Sequence, residues 1–222
     1  MLSVTPLAFG IEYTERRVKC NSCALCRMRL RIALNNKGYV SMCLCGRFVV
    51  TKTLLMNTIT TLLLSALIPL LVGFIWYNPK VFGKVWMRVA DVSEEKMKKG
   101  NIAVIFILTY VLGFLISAIM MSMVIHQAHI FSIFADTPGI EDPATEAGKL
   151  FNEIMTKYGN NFRTFKHGAF HGVLGALFFA TPIVAINALF ERRGFKYIAL
   201  HAGFWIISLA LMGGIICQFV KM

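Results

Sequence analysis

Four of the five histidines fall in two pairs whose spacing suits metal binding. His126 and His129 are three residues apart, and His167 and His171 are four apart. In an α-helix both spacings place two imidazoles on one face, and a neutral imidazole is a good ligand for Zn or Cu. If the two pairs meet, they form a four-histidine metal site.

Two further readings of these histidines stay open. Each imidazole could instead hydrogen-bond a backbone carbonyl or cap a helix end, and a carboxylate from Asp136 or Glu141 could complete a metal site. The sequence contains no His-Glu-x2-His motif, P-loop, nucleophile elbow or dinucleotide fingerprint. We therefore predict no catalytic residues and no organic cofactor, and we favour a protein that is not an enzyme.

The elements that must position these histidines are four apolar runs, at about 58–77, 102–126, 168–190 and 197–220. A bilayer core about 30 Å thick needs about 20 apolar residues in a helix. Lipid offers no hydrogen-bond partner, so only helices or closed barrels span it, and the runs lack the alternation of barrel strands. We predict an all-α integral membrane bundle of four transmembrane helices.

Basic residues lie between the spans, and their distribution predicts the orientation. Of the 23 Lys and Arg residues, nine precede residue 56, six lie in 78–101, four in 127–167, three in 191–196 and one at 221. The positive-inside rule gives a consistent answer if the chain starts at Met56, with the two short basic loops cytoplasmic and both termini extracytoplasmic. The dispersed charge, without a basic stripe, excludes nucleic acid as the partner of this +12 chain.

The first 55 residues differ in kind from the rest. We expect 1–55 to be a non-native or disordered extension and 56–222 to be the four-span membrane domain. An alternative is a metal-binding extension, because five cysteines are loosely spaced for Zn or an iron–sulfur cluster; disulfides are a further alternative. The cysteines are Cys20, Cys23, Cys26, Cys43 and Cys45.

Residues after the first span form a membrane anchor. Trp76 and Tyr77 lie where the aromatic belt is expected, and Lys80 and Lys84 can reach lipid phosphates. Trp86 belongs to a short helix that we expect to lie in the interface.

The third span carries a stripe of small residues at every fourth position: Gly168, Gly172, Ala176 and Ala180. Such a stripe lets another helix backbone approach closely. Gly113 with Ser117 in span two, or Ala199 with Gly203 in span four, could face it. Pro69 and Pro182 are expected to kink spans one and three.

The long loop 127–167 contains an amphipathic helix. Asp142 and Pro143 suit the N-cap and first position of a helix, Leu150 and Ile154 belong to its apolar face, and Gly159 ends it. We expect this extracytoplasmic helix to rest on the membrane or cap the bundle.

Four motifs of the membrane domain can be compared with known families: Gly73-Phe-Ile-Trp-Tyr-Asn-Pro-Lys-Val-Phe-Gly-Lys-Val-Trp86, His167-Gly168-x2-His171-Gly172, Asn187-Ala-Leu-Phe-Glu191 and Leu211-Met-Gly-Gly214. They resemble a bacterial membrane family catalogued as domain of unknown function 1761. The resemblance covers about 56–220. It implies a multi-pass protein of the bacterial inner membrane and implies no activity.

Two classes of function remain. The first, which we favour, is a non-enzymatic component of the cell membrane, whose partners are the lipid bilayer and either further copies of itself or another membrane subunit; a small-solute carrier acting as an oligomer is a variant. The second is a metal-binding membrane protein, or a metal-dependent membrane enzyme, that uses the four histidines with Zn or Cu.

Overall fold

The computed structural model describes residues 30–33, 39–42 and 44–221, and the side chains from residue 55 onward. In chain order the elements are β1 (Leu30–Ala33), β2 (Tyr39–Met42), α1 (Leu44–Ser65), α2 (Ile68–Trp76), α3 (Gly83–Ala90), α4 (Glu94–Lys99), α5 (Ile102–Val124), α6 (His126–Ile133), α7 (Glu146–Tyr158), α8 (Phe165–Gly175), a π-helix (Ala176–Ala180), α9 (Thr181–Phe190) and α10 (Phe195–Phe219). The chain divides into two compact units, Met1–Met56 and Asn57–Met222.

In the first unit, β1 and β2 pair antiparallel, with Leu30 opposite Met42 and Ala33 opposite Tyr39. Five cysteine side chains lie outside the described part of the chain: Cys20, Cys23, Cys26, Cys43 and Cys45. The metal-binding and disulfide alternatives for this segment therefore stay predictions, as does the start at Met56.

The described residues hold four helical segments long and apolar enough to cross a membrane: Leu55–Trp76, Ile102–Val124, Phe165–Phe190 and Phe195–Phe219. Their bounds lie close to those expected, and the all-α class with four membrane-spanning helices is confirmed. Large apolar side chains such as Phe74, Ile107 and Phe178 are exposed on these segments. Such surfaces suit helices whose surroundings are lipid instead of water.

Span one is interrupted near its centre. α1 ends at Ser65, and α2 begins with Pro69 as its second residue. Pro69 lacks the N–H that would donate to the Ser65 carbonyl, so a regular helix cannot continue. A Cβ on Gly113 would lie 2.7 Å from the carbonyl oxygen of Ala66. The glycine therefore lets α5 lie directly against the interruption.

Span three changes pitch beside its own proline. α8 passes into the π-helix, and α9 follows with Pro182 as its second residue. Pro182 cannot donate to the carbonyl four residues earlier, and the wider π turn accommodates the missing hydrogen bond.

α8 and α10 approach each other to backbone contact. A Cβ on Gly172 would lie 2.8 Å from the Cα of Ala210, and a Cβ on Gly213 would meet the carbonyl of Gly168. Only glycine at these positions permits the approach. Further along the stripe, Ala176 is fully buried.

The facing segment on α10 is therefore Leu209–Gly213, which differs from the two partner pairs suggested by spacing. Gly113 lies against span one, and a Cβ on Gly203 would lie 2.9 Å from the Trp76 ring. Both of these glycines serve contacts with span one.

The loop helix α7 begins three residues later than predicted. Its N-cap is Thr145, whose hydroxyl accepts a hydrogen bond from the N–H of Gly148 at 3.0 Å. The Asp142 carboxylate instead accepts from the N–H of Ala144 at 2.9 Å, which makes a local turn ahead of the helix. The prediction of Asp142 as N-cap was wrong, whereas the helix ends before Gly159 as expected.

Candidate metal centre

A break in the helix at the end of span two positions His126. This end of the bundle, where span two leads into the 127–167 loop, is called here the long-loop end. α5 ends at Val124, Ile125 is extended (φ −109°, ψ 95°), and α6 starts at His126. Ile125 is fully buried, so its packing holds this bend. The chain direction therefore changes immediately before His126.

His167 and His171 lie one turn apart in the first half of α8. The hydroxyl of Thr164, the N-cap of α8, accepts a hydrogen bond from the backbone N–H of His167 at 3.3 Å. The start of α8 thus fixes the backbone that carries both imidazoles. Spacing of four residues places the two rings on the same side of the helix, with centroids 4.6 Å apart.

The three imidazoles of His126, His167 and His171 converge, and we call them the histidine triad. One ring nitrogen from each lies within 4.8 Å of the others. The Nε2 atoms of His126 and His167 are 2.9 Å apart, and the rings of His126 and His171 have centroids 5.1 Å apart. Two nitrogens at 2.9 Å form a hydrogen bond only when one of them carries the proton.

His129 does not belong to the triad, although the sequence placed it there. Its side chain is exposed. After the bend at Ile125, α6 runs toward α7, where Phe131 and Phe134 make ring contacts with Phe151. Three residues into α6, His129 has therefore left the side of the bundle that faces α8.

Neither carboxylate suggested as a further ligand joins the triad. Among the described residues, the group of potential ligands contains the three histidines and neither Asp136 nor Glu141. The triad therefore offers three neutral nitrogen ligands and no anionic one.

The triad would have to rearrange locally to hold a metal ion in a tetrahedral site. With metal–nitrogen bonds of about 2.0–2.1 Å, neighbouring ligand nitrogens are separated by about 3.3 Å. The 2.9 Å pair would have to open by about 0.4 Å, and a pair at the 4.8 Å limit would have to close by about 1.5 Å. Rotation of the rings about their side-chain bonds would have to supply these changes. Three ligands leave the fourth tetrahedral position open.

Phe162 forms one wall of the triad. Its ring stacks on His167 with centroids 5.0 Å apart and meets the ring of His126 edge-on at 6.1 Å. The residue has φ of 60°, a left-handed conformation that is costly for a bulky side chain. Such a conformation persists only where surrounding contacts impose it.

Cys217 on α10 supplies contacts that support this backbone. Its thiol lies 3.3 Å from the carbonyl of Phe162 and 3.4 Å from the carbonyl of Val124. The buried thiol therefore touches both chain segments that flank the triad. Sequence reasoning overlooked Cys217, because a single Cys in an apolar span reads as an ordinary small core residue.

Gln127 is a second residue that sequence reasoning missed. It is only 3% exposed, and its side-chain amide donates to the carbonyls of Tyr158 at 3.2 Å and Asn161 at 2.9 Å. It thereby joins the start of α6 to the end of α7 and to the segment that leads to Phe162. An uncharged Gln beside two histidines gives no sequence signal of this role.

The residues that follow α10 make hydrogen bonds at the long-loop end of the bundle. The guanidinium of Arg163 donates to the carbonyl of Val220, and the N–H of Lys221 donates to the side chain of Asn57 at 3.0 Å. Burial lowers the pKa of Arg163, yet an arginine stays protonated in proteins. These contacts join α10 to both span one and the segment before α8.

The chain matches one known protein family over most of its length. Residues 60–217 match the family described as Protein of unknown function (DUF1761). The chain belongs to this family. The matched region contains the whole histidine triad, all of the second and third membrane-length segments and most of the first and fourth. No curated protein and no solved structure matches the chain.

At the end of the bundle opposite the long-loop end, the predicted anchor residues Trp76 and Tyr77 contact span four. The indole N–H of Trp76 donates to the carbonyl of Leu200 at 3.2 Å, and the Tyr77 hydroxyl lies 3.0 Å from Nδ1 of His201. Burial raises the pKa of Tyr77, so its hydroxyl stays protonated at neutral pH.

The remaining anchor residues lie nearby. Trp86 is on α3, the short helix expected after span one, and its ring meets Tyr77 edge-on at 5.4 Å. Lys80 and Lys84 are exposed. Their contact with lipid phosphates stays a prediction.

Proposed function

We propose that the protein is a non-enzymatic membrane component that binds one transition-metal ion through His126, His167 and His171. The observation that carries this proposal is the convergence of three ring nitrogens within 4.8 Å, contributed by two separate helices. Imidazoles brought together from α6 and α8 repel one another when protonated. A shared metal ion turns that arrangement into a favourable one.

The ligand set favours Zn or Cu. Imidazole nitrogen suits Zn, Cu and Ni, whereas Mg and Ca prefer oxygen ligands. Zn accepts three histidines in tetrahedral geometry and takes water or another ligand in the fourth position. Because the triad is neutral, a divalent ion there would keep its full charge and attract an anion to that position.

We further propose that the triad faces the extracytoplasmic side. The six basic residues of 78–101 and the three of 191–196 lie at one end of the bundle, away from the triad. Short loops rich in Lys and Arg are retained in the cytoplasm. The long-loop end would then be exposed to extracytoplasmic metal ions.

Metal retention by purified protein tests the proposal. Protein without a histidine tag is loaded with Zn, freed of excess metal at pH 7.5 and analysed by elemental mass spectrometry. We expect roughly one equivalent of Zn, since three imidazoles and one further ligand complete a tetrahedral site. The double substitution His167→Ala with His171→Ala should abolish this retention.

His129→Ala is the matched control, because it removes an imidazole from the same end of the bundle but outside the triad. It should retain as much Zn as the unchanged protein. The proposal is refuted if the unchanged protein holds no Zn above background, or if the double variant retains the same amount.

A further inference from the structure

An apolar groove runs along the membrane-facing side of the bundle below the triad. It has a volume of about 580 Å³ and lies between α5 on one side and span three on the other. Leu115, Ile119 and Met123 line it from α5, and Gly175, Phe179 and Ile183 line it from span three. All six are uncharged, so the groove suits a hydrocarbon occupant.

The groove begins about one helical turn from the triad. Gly175, at its long-loop end, follows His171 by four residues in α8 and so lies on the same side of the helix, one turn further along. Opposite, Met123 precedes His126 by three residues, and its terminal methyl lies 3.1 Å from the position of a Cβ on Gly175. Span three, on one side of the groove, thus carries His167 and His171, and α5, on the other side, ends two residues before His126.

The length of the groove matches one leaflet of the membrane. From Leu115 to Met123 the helix rises about 12 Å, and half of a hydrocarbon core is about 15 Å thick. The groove therefore extends from the triad to near the bilayer midplane. An extended chain lying in it would place its polar end at the histidines.

We propose that the triad and the groove together bind a fatty acid, with the acyl chain in the groove and the carboxylate on the fourth position of the metal ion. This inference rests on the proposed metal site. Charge complementarity selects the head group, since a divalent ion on three neutral imidazoles lacks an anionic partner and a carboxylate is an established ligand of Zn at about 2.0–2.2 Å.

Palmitate is the probe, and the assay is equilibrium binding of labelled palmitate to Zn-loaded full-length protein in detergent. Gly175→Leu fills the long-loop end of the groove, where only the flexible tip of Met123 lies nearby. It should weaken palmitate binding about tenfold or more, because overpacking of a filled site costs on that scale, and it should leave the Zn content unchanged. Gly194→Leu is the matched control, since a Cβ there meets nothing within 4 Å; it should change neither quantity.

The head-group part of the proposal is tested with the triad variant and with a second lipid. His167→Ala with His171→Ala should lose Zn and weaken palmitate binding, and monopalmitoylglycerol, which has no anionic group, should bind equally with and without Zn. In protein that holds Zn, absent palmitate binding, or binding unaffected by Gly175→Leu or by loss of Zn, overturns this inference and leaves the metal site intact. Failure to hold Zn at all refutes both proposals.

Discussion

Gly172→Leu should destabilise the bundle, because Gly172 lies where α8 meets the backbone of α10. A Cβ at this position would lie 2.8 Å from the Cα of Ala210 and would meet the carbonyl of Leu209. Carbon atoms pack at about 3.5–4.0 Å. The two helices must therefore separate by about 1 Å before even the first carbon of the new side chain fits.

The free energy of this separation follows from the packing lost along α8. A gap of up to 1 Å forfeits a quarter to a half of the dispersion energy of each facing contact, and overpacking a well-packed site costs about 1–3 kcal/mol. Leucine places three further carbons in the same space, so we take about 3 kcal/mol, offset by about 1 kcal/mol of helix propensity gained over glycine. The net loss of about 2 kcal/mol should lower the unfolding midpoint by roughly 4–8 °C.

The assay is thermal unfolding in detergent, followed by the loss of the monodisperse peak in size-exclusion chromatography. Gly194→Leu makes the same chemical change in open space and should leave the midpoint within about 1 °C. Leu174→Ala, which trims a half-buried side chain of the same helix, should cost less than Gly172→Leu. Equal midpoints for Gly172→Leu and Gly194→Leu would refute the close approach of α8 to α10.

The same variant should also weaken metal binding. His167 and His171 lie on the helix that must move, and a binding constellation tolerates displacements of only about 0.5 Å. A shift of about 1 Å relative to His126 exceeds this limit. Zn affinity should therefore fall with Gly172→Leu and stay unchanged with Gly194→Leu.

Three further predictions concern protonation, support of the triad and orientation. Zn bound at pH 7.5 should be lost on acidification to about pH 5, because a ring nitrogen that carries a proton cannot coordinate a metal ion; Zn retained in full at pH 5 would contradict coordination by the triad. Gln127→Leu should lower stability by about 1–3 kcal/mol, since it removes two hydrogen bonds, to the carbonyls of Tyr158 and Asn161, each worth about 0.5–1.5 kcal/mol, and unfolding in detergent should show no such loss for the exposed control His129→Leu. A reporter fused after Lys221 should be active outside the cytoplasm and one inserted near Glu94 inside it, and the reverse pattern would refute the charge argument.

The spans were predictable because their cause is local. A run of about 20 apolar residues has few stable alternatives to a membrane helix, and the effect of Pro69 on span one follows from its missing N–H. The small-residue stripe was equally visible, because a period of four residues needs no knowledge of the neighbouring helix. The neighbour itself was not predictable, since several spans offered small residues and only the assembled bundle selects Leu209–Gly213 on α10.

Which histidines join the triad depends on the bend at Ile125, and no local sequence signal marks this bend. Ile125 is β-branched and apolar, like many residues of a continuous span, and neither Gly nor Pro marks the end of α5. Its extended conformation arises from tertiary contacts, which bury it completely. A straight helix would have kept His126 and His129 equivalent, whereas the bend separates them.

Helix packing and the triad depend on the same short segment of α8. His167 and His171 each precede a glycine, so a rotation of about 100° about the helix axis separates the imidazole side from the glycine side. The glycines, Gly168 and Gly172, fix the distance and depth of α8 against α10. With that helix fixed, the height of both imidazoles relative to His126 is fixed too. The motif His-Gly-x2-His-Gly therefore specifies a packing surface and a set of ligands at once, and a change in the packing surface moves the ligands.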